Sequence, residues 1–223
     1  RGIGKGIANI FGEQGARVAV VARSEEEGGR LPGNIHLTVK EIQDAGGQAM
    51  AFRCDVTDEE QVEALAAAVV EAYGRIDVLV NNAGTIQPIL PLEDSPAGQW
   101  AEAIHVNLTA PALLMRAALP HLRRSRGRIV NISTGAAVKV VQGWSAYCAS
   151  KAGLLHLTQV AAAECPEVAF FSLRPGVIDT QMQNEIRESS GMTEADLSKF
   201  KDLKASSALE PPEVPARSAV WLL

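Results

Sequence analysis

The run Arg1-Gly-Ile-Gly-Lys-Gly-Ile-Ala8, followed by Ala16-Arg-Val-Ala-Val-Val-Ala22, decides how this chain folds. Closely spaced glycines let the backbone approach a bound group. A helix starting behind them offers free N–H groups and the positive end of its dipole. The apolar, β-branched run after that helix reads as a strand covered on both faces, as in a parallel sheet. Gly-x-Gly by itself also occurs in tight turns. Opening a helix that leads into a strand is the context a dinucleotide site requires.

The same alternation continues outward. Short apolar runs at 48–54, 76–81, 127–133 and 168–173 read as further strands, with helical patterns at 4–13, 39–44, 59–73, 99–122 and 146–164. Thr57-Asp-Glu-Glu60 gives the helix at 59–73 an N-cap and an acidic first turn. Strands alternating with helices build βαβ units, so the expected fold is α/β. It is a single Rossmann-like domain over 1–223, a doubly wound parallel sheet with helices on both faces. Pro32-Gly33 marks a loop, a small insertion before the helix at 39–44. The polar, helix-prone stretch 180–209, closed by Pro211-Pro212, reads as a surface lid over the substrate rather than a second domain.

Composition narrows the function. With 223 residues at 47% hydrophobic, the chain can bury one sizeable core. A net charge of -5 with both signs interspersed excludes the basic footprint of a nucleic-acid binder. No run approaches the roughly 18 apolar residues of a membrane span, and no signal peptide opens the sequence. Cys54, Cys148 and Cys165 are odd in number and scattered, which suits reduced thiols in the cytoplasm. The four histidines lack metal-ligand spacing, so no metal is expected.

Chemistry first shows in Ser145-Ala-Tyr-Cys-Ala-Ser-Lys151. Tyr147 and Lys151, at i and i+4, share one helix face. A nearby ammonium favours phenolate, so the tyrosine pKa is expected to fall from about 10 towards the working pH. Such a phenol protonates a carbonyl oxygen or takes a proton from an alcohol. Arg23 ends the strand at 16–22, where a NAD site would carry an acid for the ribose 2′-hydroxyl. An arginine there suits a 2′-phosphate, with Arg1 beside the same pocket, so the expected cofactor is NADP(H); the plain alternative is a solvated strand-end charge. Asn81-Asn-Ala-Gly84 follows a strand, either as a close-fitting crevice loop or as a simple turn. Asp55 either accepts from the adenine amino group or merely begins the turn into the next helix.

Together with Asn107 in Val106-Asn-Leu108, Asn131-Ile-Ser-Thr134 and Pro175-Gly176, these motifs resemble the short-chain dehydrogenase/reductase family over residues 1–180. Gly143-Trp-Ser-Ala-Tyr-Cys-Ala-Ser-Lys151 and Pro175-Gly-Val-Ile-Asp-Thr-Gln-Met182 resemble its sepiapterin reductase and benzil reductase branch. The resemblance implies that Tyr147 is the general acid/base, that Lys151 tunes it and holds the nicotinamide ribose, and that Asn107 keeps a water-linked proton path. The family's serine lies 13 residues before the tyrosine, which is Thr134 here; Ser133 lies 14 before. Adjacent strand residues point to opposite faces, and Thr134 is the one expected to polarise the substrate.

The resemblance also implies cofactor contacts from Gly2, Ile3, Gly4, Val56, Asn82, Ala83, Gly84, Ile178 and Thr180. Trp144 and Met182 either line the substrate pocket or simply pack. Pairing through the helices at 99–122 and 146–164 would give a homodimer or homotetramer. Family members begin with a strand before the glycine loop, whereas Arg1 stands inside it, so the expected sheet lacks its first and last strands. The implied activity is NADPH-dependent reduction of a small ketone or dicarbonyl. Alternatives are a 3-oxoacyl or alcohol-type oxidoreductase of the same family, and a non-catalytic NADP(H)-binding sensor.

Overall fold

A computed structural model describes residues 2–24 and 34–222; Arg1 and the Pro32-Gly33 loop lie outside the described residues. The helix behind the glycines is α1 (Gly2–Glu13), followed by β1 (Arg17–Ala22). After it come α2 (Ile35–Asp44), β2 (Gln48–Arg53), α3 (Glu59–Tyr73) and β3 (Val78–Asn81). Then follow α4 (Ala97–Ile104), α5 (Ala110–Ser125), β4 (Arg128–Ile132), α6 (Ser145–Glu164) and β5 (Ala169–Leu173). Three helices complete the described chain: α7 (Gln181–Arg187), α8 (Glu194–Ala205) and α9 (Glu213–Trp221).

Local chemistry explains the boundaries. Asp58 caps α3 by accepting from Gln61 N at 3.1 Å, and Gly74 ends it in a left-handed turn at φ 80°. The Asn34 side chain caps α2 at Leu37 N, so that helix starts four residues before the apolar pattern at 39–44 suggests. The pattern at 99–122 is not one regular helix. Residues His105–Thr109 form a π-helical turn, with the Ala110 N–H bonded to the His105 carbonyl. Period alone could not show this, because one inserted residue shifts the apolar stripe only locally.

All strand pairings are parallel. β1 pairs with β2, and β3, β4 and β5 form a separate ladder in that order. The sheet is therefore in two hydrogen-bonded pieces. Apolar packing joins what hydrogen bonds do not. Ile3, Ile7, Ile10 and Phe11 of α1 lie in one cluster with Val80, Val130, Ile132, Phe171 and Leu173 of the three-stranded piece, and α1 also packs on β1. Ala216 and Ala219 of α9 close this layer, and Gly6 lets them come close, since a Cβ on it would stand 3.0 Å from the Ala216 Cβ.

The opposite face is covered by α5 and α6. Ile129, Leu79 and Phe170 meet Met115, Leu122 and Leu157. Strand alternation makes the division clean: Val130 and Ile132 face α1 and α9, while Ile129 faces α5 and α6. Asn131 shares the face of Ile129. There its side chain accepts from Asn81 Nδ2 at 2.7 Å and donates to Thr158 Oγ1 at 2.9 Å, a buried polar link from β3 through β4 to α6. That link fixes α6 against the carboxyl ends of β3 and β4, where crevices for ligands form in such sheets.

Candidate active site

The carboxyl ends of β3 and β4, the start of α1 and the first turns of α6 converge. A Cβ on Gly4 would stand 2.5 Å from Asn82 Nδ2, so a larger residue there would displace the Asn82 side chain from the start of α1. A Cβ on Gly84 would meet Asn107 Oδ1 at 3.1 Å and Lys151 Nζ at 3.7 Å. Two regions of sequence read as glycine loops are thus pressed against each other and against α6. Gly2 carries φ 59°, with Thr180 beside it: the Thr180 methyl lies 3.6 Å from where its Cβ would be.

Asn107 sits in the π-helical turn and is wholly buried. Its side chain is spent on three bonds: Oδ1 accepts from Thr85 N at 2.8 Å, while Nδ2 donates to Thr85 O at 2.8 Å and to Ser150 Oγ at 3.1 Å. Ser150 in turn donates to the Tyr147 carbonyl at 2.9 Å. The loop after Asn82-Ala83-Gly84 is thereby tied to α6 beside the tyrosine. Thr85 and Ser150 were not singled out in the sequence. Only the position of Ser150, beside Lys151 in the tyrosine motif, hinted at a role.

Tyr147 and Lys151 share the inward face of α6, and both are buried. Lys151 Nζ donates to the Ile132 carbonyl at 2.8 Å and stands 5.9 Å from the Tyr147 ring centroid. The electrostatics differ from expectation. Burial in the apolar cluster pushes the Tyr147 phenol up to about 12, and the Thr134 hydroxyl facing it pulls the other way but does not prevail. Burial lowers Lys151 to about 8. Spacing correctly brings phenol and ammonium together, but the expected fall in the tyrosine pKa does not occur here, because withdrawal of phenolate from water outweighs a cation already held by a carbonyl.

Thr134 and Ser133 part company. Thr134 lies at the end of β4, capping a short 3-10 turn by accepting from Ala136 N at 3.3 Å, and its hydroxyl faces the Tyr147 phenol. Ser133 is buried, and its Oγ has no partner. If Thr134 is the hydroxyl that polarises the substrate, as expected from the sequence, Thr134→Ala should lower kcat for carbonyl reduction by about 10²-fold, the scale of losing one donor to a developing oxyanion. Ser133→Ala, which removes only an idle hydroxyl, should leave kcat near that of the parent protein. Steady-state kinetics of the two variants checks this, and the reverse ranking would reassign the role.

Trp144 meets Tyr147 edge-on, centroids 5.7 Å apart and planes at 88°. Met182, Ile186, Ile86 and Ile89 belong to the same cluster, and Phe200 from α8 lies tilted at 5.5 Å from Trp144. Phe200 was missed because nothing in the sequence ties α8 to the tyrosine. An apolar groove of about 890 Å³ runs along the flank of α6, between residues 136–143 and 190–193. Its walls share Ala136, Cys148 and Met192 with the cluster around Tyr147.

Arg23 and Asp55 project from the ends of β1 and β2 and face each other at 3.6 Å. One Asp55 oxygen accepts from Thr57 N at 3.1 Å and Thr57 Oγ1 at 2.7 Å, so the carboxylate shapes the turn that Val56 occupies. Those bonds, with Arg23 helping, hold it below the ordinary range. Ile178 bridges to Glu210 just before Thr180, the N-cap of α7. A glycine-cushioned helix start, a loop beneath it and a cation at the next strand end suit a dinucleotide phosphate.

The sequence pattern of short chain dehydrogenases matches residues 1–191. The chain belongs to the short-chain dehydrogenase family. Within it, benzil reductase ((S)-benzoin forming) of Saccharomyces cerevisiae is 38% identical over 77% of this chain and 70% of its own length. The enzyme of the same description from Bacillus cereus is 31% identical over 100% of this chain and 90% of its own. A metagenomic short-chain oxidoreductase solved in complex with NADP is 39% identical, covers 80% of this chain and 79% of its own, and superposes with a TM-score of 0.73. The chain is thus an α/β oxidoreductase of this family. Among its described residues no helix is long and apolar enough to cross a membrane.

Proposed function

We propose that this short-chain dehydrogenase is an NADPH-dependent carbonyl reductase acting on a small ketone or vicinal dicarbonyl. The observation that carries this reading is geometric: the buried Tyr147 phenol is faced by Thr134 and shares the inward face of α6 with Lys151, whose Nζ lies 5.9 Å from the phenol ring centroid. A buried phenol that keeps its proton at neutral pH has a proton to give to a carbonyl oxygen placed against it. When bound, the nicotinamide supplies the hydride. Tyr147 gives its proton to the oxygen as negative charge develops there, and Thr134 donates to the same oxygen. Lys151, charged below about 8, stabilises the phenolate left behind and reaches the edge of the Gly84 loop, where a ribose would lie. Asn107, through Thr85 and Ser150, holds that loop and the tyrosine helix in register.

The apolar groove along α6 supports a substrate with apolar substituents. The kinship to two benzil reductases supports a dicarbonyl. Stretch 180–209, which carries Met182, Ile186 and Phe200, is proposed as the lid, and α5 and α6 as the faces through which copies pair.

Arg23 is proposed to hold the 2′-phosphate, with the backbone of Gly2, Ile3 and Gly4 near the diphosphate; Arg1, expected beside the 2′-phosphate, lies outside the described residues. An exposed ion pair is worth at most about 1 kcal/mol, so Asp55 yields Arg23 readily to a doubly charged phosphate. Arg23→Ala should cut the NADPH-over-NADH ratio of kcat/KM by about tenfold or more, the worth of a charge-assisted bond. An unchanged ratio would place 2′-phosphate recognition elsewhere. The decisive assay follows NADPH oxidation with vicinal diketones, monoketones and 3-oxoacyl thioesters. Turnover is expected and greatest with the diketones. Tight NADPH binding with no turnover would instead favour a sensor.

A further inference from the structure

The indole N–H of Trp144, beside Tyr147, is left without an acceptor. Trp144 is 6% exposed, and its Nε1 is enclosed. Buried polar groups nearly always find partners, and an exception calls for a missing ligand or water. The same neighbourhood satisfies its other indole: Trp100 Nε1 donates to Ser145 Oγ at 3.2 Å. The Trp144 ring is also firmly placed. It sits at the N-terminal end of α6, three residues before Tyr147, edge-on to the phenol and braced by Phe200. Met182 and Ile186 pack around it, so the N–H lies in a dry, apolar setting where a single donor discriminates strongly.

We infer that Trp144 Nε1–H binds the second oxygen of a vicinal dicarbonyl, the one that is not reduced, and thereby selects 1,2-dicarbonyls over monoketones of the same shape. This rests on the carbonyl-reductase reading above. On this assignment the reacting oxygen is held by the hydroxyls of Tyr147 and Thr134, and the second, one carbon further along, is taken by the indole whose ring centroid lies 5.7 Å from that of the phenol. The chemistry balances as a single reduction. Hydride adds to the carbon at Tyr147, the phenol proton moves to its oxygen, and the phenolate later regains a proton from solvent. An indole N–H is too weak an acid to protonate what it holds. The second carbonyl is therefore bound but not activated, and the product is a hydroxyketone.

The test pairs benzil with deoxybenzoin, which has the same two-ring skeleton with a methylene in place of one carbonyl. In Trp144→Phe the ring stays and the donor goes. The benzil-over-deoxybenzoin ratio of kcat/KM should fall about tenfold relative to the parent protein, the worth of one hydrogen bond. An unchanged ratio, with both ketones still reduced, overturns the inference and leaves the reductase standing; it would mean that the indole N–H merely rests against a ring face. If the parent protein reduces neither ketone with NADPH, the reductase reading falls and the inference with it. Should the variant fail to fold, indole-¹⁵N spectra of the parent protein with NADP⁺ decide. Of three tryptophan signals, one should move downfield with benzil and not with deoxybenzoin. No such difference overturns the assignment.

Discussion

Tyr147→Phe lowers kcat for carbonyl reduction by about 10²–10⁴-fold, the usual contribution of a positioned general acid. The fold should survive. The ring keeps its edge-on contact with Trp144 and its place in the cluster with Ile86, Ile89 and Ile186, and only the hydroxyl facing Thr134 is lost. Thermal melting close to that of the parent protein, together with the kinetic loss, is the expected pair of results. A variant that retains a tenth or more of the parent rate would remove the tyrosine from the chemistry. The pH dependence carries a second signature. With the phenol at about 12, no tyrosine-linked fall in reduction is expected between pH 6 and 10. With Lys151 at about 8, the profile of kcat/KM for NADPH, which reports groups of the free enzyme, should fall through about that pH.

Lys151→Met is expected to cost activity and to improve stability. The ammonium is buried, and burial alone lowers it from 10.5 to about 8. Between those values the unfolded chain binds a proton that the folded chain does not, so stability rises with pH across this window. Below pH 8 the folded protein carries a desolvated charge at full cost. The difference of 10.5 and about 8 corresponds to about 3 kcal/mol at 1.36 kcal/mol per unit. The parent protein should therefore gain about that much stability relative to the methionine variant as pH goes from 7 to 10.5, and the variant should be the more stable of the two at pH 7. Tyr147 acts with the opposite sign only above pH 10, since its raised value makes the folded state the stronger proton binder there. Denaturant melts of both proteins at pH 7, 8.5 and 10 read the difference. Parallel curves would mean that Lys151 is not desolvated as the structure has it. Reduction by the variant should fall about 10²-fold or more, because the phenolate loses the ammonium that shares its face of α6.

Much of the site was legible because its motifs are local. The i, i+4 spacing of Tyr147 and Lys151 places both on one face of any helix, and Asp58 before an acidic turn starts α3 wherever that helix lies. Asn82-Ala83-Gly84 could be placed at the end of β3 because an apolar run stops there. Asp55 could not be resolved from sequence. Its carboxylate is committed to Thr57 and Arg23, and which neighbour wins depends on how β1 and β2 lie side by side. The π-helical turn at Asn107 was hidden inside an apolar stripe that continues on either side.

Hydrophobic period, capping residues and glycine spacing act over a few residues, so this sequence by itself determined the parallel α/β order, most element positions and the pairing of Tyr147 with Lys151. Quantities that depend on distant partners were decided only by the tertiary structure. The Tyr147 pKa rises rather than falls because residues from separate segments, Ile86 and Ile89 of one loop with Trp144, Ile186 and Phe200, exclude water from it. The two sheet pieces are joined through α1 and not by a ladder, since hydrogen bonds need strands side by side whereas apolar packing needs only a shared cluster. Solvent exclusion is a property of the assembled core, and no window of sequence contains it.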